Sequence, residues 1–121
     1  QNNVFFDSLK RLELNTPKAT FLKSVLNIPF DKAVSNLNAF DLLNQKAIKI
    51  ASELKNDTAL AEAYIQQSLL LHYTSKEIKA IDLELEINYD ATIATPNFFD
   101  TYQQKKKKLE RLMEEWENLQ Y

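Results

Sequence analysis

His72 is the only histidine in the chain, and Lys105 to Lys108 form its one concentrated run of positive charge. These residues have chemistry to offer, yet neither stands in a pattern that a reaction needs. A histidine base requires a nucleophile and an orienting acid within hydrogen-bond reach, and no motif brings these to His72. Di-iron helical bundles draw a Glu-x-x-His from each of two helices, so a single histidine cannot complete that ligand set. Cysteine is absent, which excludes disulfides and thiolate metal sites without separating oxidising from reducing compartments. Glycine is absent as well. Phosphate-binding loops, dinucleotide fingerprints and nucleophile elbows all need backbone that only glycine tolerates, so this chain carries none of them. No catalytic, cofactor-binding or metal-ligating residue is assigned, and the expectation is a non-enzymatic protein without a cofactor.

The lysine run has two readings. Nucleic-acid binding would want exposed aromatics and a basic surround. Here Glu110, Glu114, Glu115 and Glu117 follow at once, and Lys106–Glu110 and Arg111–Glu115 have the spacing of helical ion pairs. A solvated helix face is the better reading. The net charge of −2, from 15 basic and 17 acidic residues, supplies no global field for nucleic acid or an anionic membrane. No apolar run approaches the ~20 residues that span a bilayer.

The elements that position these residues all read as helices, so the expected fold class is all-α. Val4, Phe5, Leu9 and Leu12 recur at helical spacing, and Thr16-Pro17 predicts a cap followed by a first-turn proline. Phe21, Leu22, Val25 and Leu26 mark a second helix that Asn27-Ile28-Pro29 stops. A short helix follows over 30–37, with Asn36 or Asn38 as the break. Phe40, Leu43, Ala47, Ile50, Ala51 and Leu54 predict a helix of about four turns. Asp57 is the expected cap for a helix from Thr58 to Tyr73. Thr74 and Glu77 have capping-box spacing and predict a fresh helix to about Asn88. Ile81, Leu83, Leu85 and Ile87 alternate with polar residues as a strand would, but the helical period through Ile78, Ile81 and Leu85 takes precedence. Thr95-Pro96 opens a last helix from Asn97 to about Gln120. Its stripe of Phe98, Tyr102, Lys105, Leu109, Leu112, Trp116 and Leu119 has heptad steps with one polar position. This helix should form an antiparallel, coiled-coil-like hairpin with the one before it.

The stretch from Ala47 to Asn88 resembles a tetratricopeptide unit. Ala47 to Leu54 is similar to an outer helix, Leu60 to Tyr73 to the inner helix of the next repeat, and Lys79-Ala80-Ile81 to its outer helix. In that register Ser68 replaces the usual glycine, opposite Ala80, and Glu84 sits where a large apolar residue is usual. The nearest flavour is the divergent sensor module that precedes bacterial histidine kinases, where Asp-Ser-Leu-Lys, here Asp7 to Lys10, is common near the start. The resemblance implies signal transduction through a bound protein or peptide, with partner contacts at Ile65, Gln66, Leu69, His72 and Tyr73. A second resemblance, carried by Pro96-Asn97-Phe98-Phe99, Tyr102 and Leu109 to Glu117, is to the coiled-coil hairpin of ABC-F translation ATPases. It implies a ribosome- or RNA-associated hairpin as the alternative function.

One domain is expected, with short helices over 1–37, tetratricopeptide-like helices over 38–90 and a long helix over 91–121. Leu112, Met113, Trp116 and Leu119 extend beyond what a partner helix over 76–88 could cover. Either a second copy covers them in a homodimer, or Phe5, Phe6 and Leu9 fold back. Gln1-Asn2-Asn3 before an amphipathic segment is the kind of start left by signal-peptide removal, and equally an arbitrary boundary. The first implies a periplasmic or extracytoplasmic location, the second leaves the cytoplasm open.

Overall fold

The computed structural model describes residues 4–119, which form seven helices and no strand. They are α1 (Val4–Asn15), α2 (Lys18–Leu26), α3 (Phe30–Ser35), α4 (Leu37–Glu53), α5 (Asp57–Ile87), α6 (Tyr89–Ile93) and α7 (Phe98–Leu119). The all-α expectation is met. The chain divides into two compact units, 1–68 and 69–121, with the boundary inside α5.

Without glycine, helices must start and stop by other means. Pro17 and Pro29 stand immediately before α2 and α3, and their carbonyls accept from Phe21 and Ala33 to close the first turns. Thr16, expected as the cap of α2, instead donates its hydroxyl back to the Leu12 carbonyl at the end of α1. Asn36 caps α4 by accepting from the Ala39 N–H at 3.2 Å. Asn56, one residue before the expected Asp57, caps α5 by accepting from the Ala59 N–H at 3.1 Å. Helix α4 ends with Lys55 at φ 53°, a left-handed residue where glycine is the usual choice. Asn56 N–H then reaches the Ala51 carbonyl at 2.9 Å and Lys55 N–H the Ser52 carbonyl at 3.2 Å, the paired bonds of a Schellman end.

In the first unit, α2 packs on α1 and α4, and α3 packs on α4. Phe6, Leu9, Phe21, Leu22, Val25, Ile28, Phe40, Leu43 and Ile50 are its large buried side chains. The α4–α5 turn brings two helices with alanine-lined faces together: Ala47, Ala51, Ala59 and Ala63 are all buried. The Asn44 side-chain amide donates to the Ala63 carbonyl at 3.0 Å. A side chain that short reaches backbone on a neighbouring helix only where the axes run close.

In the second unit, α5 passes through Thr74 without interruption. The predicted helix start there fails because both halves of the capping box are used otherwise. Thr74 is buried, and Glu77 pairs with Lys105 of α7. Ser68 and Ala80 therefore belong to one helix and are not two sides of a hairpin, and Ala80 is exposed. The alternating segment is helical, as the longer period predicts. Ile81 and Leu85 are half-buried, whereas Leu83 and Ile87 are exposed. Asn88, at φ −133°, ends the regular run and α6 begins. Helix α7 lies antiparallel to the C-terminal part of α5, since Glu77 meets Lys105 while Asp82 accepts from the Tyr102 hydroxyl further along.

Two stability outcomes follow. Lys55→Gly should raise stability by about 1 kcal/mol in denaturant melts, because it relieves a left-handed side-chain clash. Ala63→Leu should overpack the α4–α5 crossing and cost ~1–3 kcal/mol, whereas Ala80→Leu should stay within about 0.5 kcal/mol of the parent. Equal costs at both positions would contradict the packing described.

Candidate functional site

The residues expected to contact a partner have unequal roles. In the first unit, Ile65 is 68% exposed. Gln66 is half-buried, and its amide donates to the Val25 and Leu26 carbonyls, each at 3.2 Å. Val25 also accepts from the Ile28 N–H at 3.3 Å, and through these two carbonyls at the end of α2 Gln66 ties α5 to α2. In the second unit, Leu69 is half-buried and His72 exposed. The His72 and Tyr73 rings meet edge to face at 5.2 Å, and the Lys76 ammonium lies 5.3 Å from the centroid of Tyr73. Among the described residues, no three His, Cys, Asp or Glu side chains converge to hold a metal ion.

The hairpin of the second unit accounts for the polar position in the heptad stripe. Lys105, flanked along the stripe by Tyr102 and Leu109, forms an ion pair with Glu77. Lys106 lies with its ammonium 4.8 Å from the centroid of the Tyr102 ring. Its pKa is raised from the usual lysine value, first by hydrogen bonding with Tyr102, with the charges of Asp82 and Glu110 adding to it. The expected Arg111–Glu115 pair forms at 3.0 Å, whereas Lys106 turns to Tyr102 instead of pairing with Glu110.

One heptad beyond the Lys105–Glu77 pair, Leu112 on α7 comes level with Leu70 on α5, and both are fully buried. Leu112, which the sequence left to either a second copy or the N-terminal segment, is thus buried within the chain itself. The arm of α5 facing α7 begins well before residue 76, so it covers more of the stripe than the sequence implied. Met113, one position off the stripe, is 46% exposed, and Trp116 is half-buried. The side chain of Leu119 lies outside the described residues.

A cleft that the sequence did not disclose opens where α5 ends. Its volume is about 490 Å³. Ala80, Ile81, Glu84 and Asn88 form the α5 wall, Ala91 and Thr92 come from α6, and Phe98, Thr101 and Tyr102 from α7. Thr95 and Pro96 close the connection between the last two. Three local features shape it. Small residues at Ala80 and Ala91 leave the space. The Thr92 hydroxyl donates to the Asn88 carbonyl at 2.7 Å, with the Glu84 carbonyl 3.3 Å away, and so pins α6 against α5. Asn97, at φ 58°, turns the chain sharply into α7, where Phe98 stacks on Tyr102 at 5.5 Å. The lining is largely apolar with a few polar groups at fixed places, the composition usual for a small-molecule or side-chain pocket.

Leu112→Ala should cost ~2–5 kcal/mol in thermal or denaturant unfolding, as a core truncation does. Sedimentation should show the same association state for the variant and the parent. A change in association with little loss of stability would restore the intermolecular reading of this residue.

Comparison with protein-family models, with curated proteins and with solved structures found no match for the chain.

Proposed function

We propose that this chain is a non-enzymatic helical interaction module of sensor type that receives a peptide or protein partner, with the cleft of the second unit as the seat. The observation that carries this reading is the cleft itself, about 490 Å³ of mostly apolar space ringed by hydroxyls, one amide and one carboxylate. Exposed Leu83, Ile87, Tyr89 and Phe99 lie on the same helices that form its walls. That combination suits an extended or helical segment anchored by one apolar side chain. The tetratricopeptide resemblance implies partner binding, but α5 runs as one helix where the repeat would turn, and the contact residues it implies lie outside the cleft. The RNA-associated alternative loses support because Lys105 is committed to Glu77 and Lys106 lies over Tyr102.

Panning a displayed random-peptide library against the intact chain tests the proposal. Enriched peptides should lose at least about tenfold in affinity, roughly 1.4 kcal/mol, when Ala80→Trp fills the cleft. They should be indifferent to Ile65→Ser and His72→Ala. Loss of binding through those two variants alone would move the seat to the face named from the sequence. Salt-sensitive RNA binding, abolished when Lys105 to Lys108 become Gln, would favour the ribosome-associated reading.

A further inference from the structure

If the cleft seats a peptide, the charges around it specify which kind. Over residues 80–101 the chain carries Asp82, Glu84, Glu86, Asp90 and Asp100, and no lysine, arginine or histidine. This is the stretch that supplies nearly the whole cleft. Glu84 lines the cleft directly, Asp82, Asp90 and Asp100 each adjoin a lining residue in the chain, and Glu86, two positions from both Glu84 and Asn88, lies round the helix from them. Among the described residues, no ion pair engages Glu84, Glu86, Asp90 or Asp100. One turn of helix rises about 5.4 Å, inside the roughly 8 Å over which charges act at physiological salt. Lys79 adjoins Ala80, and Lys106 lies against Tyr102 and offsets Asp82, so the apolar cavity is edged by a net but partly compensated negative charge in a protein whose overall charge is only −2.

We propose that the partner is a cationic amphipathic peptide segment, and this rests on the cleft being a peptide seat. One apolar side chain enters between Ala80, Ile81 and Phe98. Lysine or arginine residues on either side of it meet Glu84 and the carboxylates beyond. Charge complementarity makes the choice. An acidic peptide brings like charge to Glu84, and a neutral apolar one leaves the carboxylate without a partner. A purely basic chain satisfies the rim and leaves the cavity empty.

Fluorescence anisotropy on the intact chain tests this with three labelled probes: a short peptide of Lys, Leu and Phe, the same peptide with Glu for Lys, and oligolysine. The first should bind, and the other two should bind at least about tenfold more weakly. Glu84→Lys should weaken the first probe about tenfold, and Glu62→Lys, an exposed change of equal charge in the first unit, less than about twofold. Ala80→Trp and, from the α7 wall, Thr101→Tyr should each abolish binding, with circular dichroism confirming that both remain helical. The charge assignment is overturned if the acidic probe or oligolysine binds equally, or if Glu84→Lys matters no more than Glu62→Lys. In those cases continued sensitivity to Ala80→Trp preserves the cleft as a peptide seat. Binding that survives both wall substitutions overturns the seat as well.

Discussion

Helix α5 contains neither proline nor glycine between Asp57 and Ile87. A stop at Thr74 would strand four N–H groups on one side and four carbonyls on the other, each hydrogen bond worth about 1 kcal/mol. A capping box answers one or two of those groups, for about 1 kcal/mol. Continuing the helix leaves the buried Thr74 hydroxyl without a partner, a smaller loss than breaking the backbone ladder. It also keeps Leu70 and Ile78 buried on either side of Thr74. The unbroken ladder therefore outweighs the local cap signal, and the cleft wall and the hairpin arm are both consequences of it.

How much the sequence disclosed depended on the range of the interactions involved. The apolar periods of α1, α4 and α7 are local, and all three helices were legible within a residue or two. The expected cap at Asp57 placed the end of α4 nearly right, but the left-handed Lys55 that makes the stop was not legible, since lysine carries no turn signal. Thr16 and Thr74 misled for a shared reason. A hydroxyl before a helix former looks like a cap, but in Thr16 it closes the helix behind it and in Thr74 it faces the packed side.

The site was less legible than the fold. Its walls come from residues 80 to 102, and no residue among them has a reactive or metal-binding signature. What marks the cleft is the small size of Ala80 and Ala91 together with the break at Asn88 and the turn at Asn97. Those are properties of space, which a list of side chains does not show. The acidic bias over 80–101 was the one visible signal, and it gains meaning only once the segment is seen to enclose a cavity. Gln66 shows the converse: its place on a binding face was plausible from spacing, but its amide is used by the end of α2.

The polar contacts along the α5–α7 hairpin connect its stability to the shape of the cleft. An apolar pair at 77 and 105 would pack at least as favourably as a half-exposed ion pair, whose net contribution is small. Such a seam would accept α7 shifted by a heptad with little penalty, because leucine meets leucine in either register. Lys105 meets Glu77, and the Tyr102 hydroxyl meets Asp82. A heptad shift sets Lys105 against Leu70 one way and Glu84 the other, but either way Tyr102 loses its carboxylate to Ser75 or Tyr89, which is how a polar seam position specifies alignment in coiled coils. Tyr102 also lines the cleft, so its bond to Asp82 acts at both places. The contacts that set the register thus hold the α7 wall opposite Ala80 and Glu84, and an apolar seam could be more stable while leaving the cleft without a defined shape.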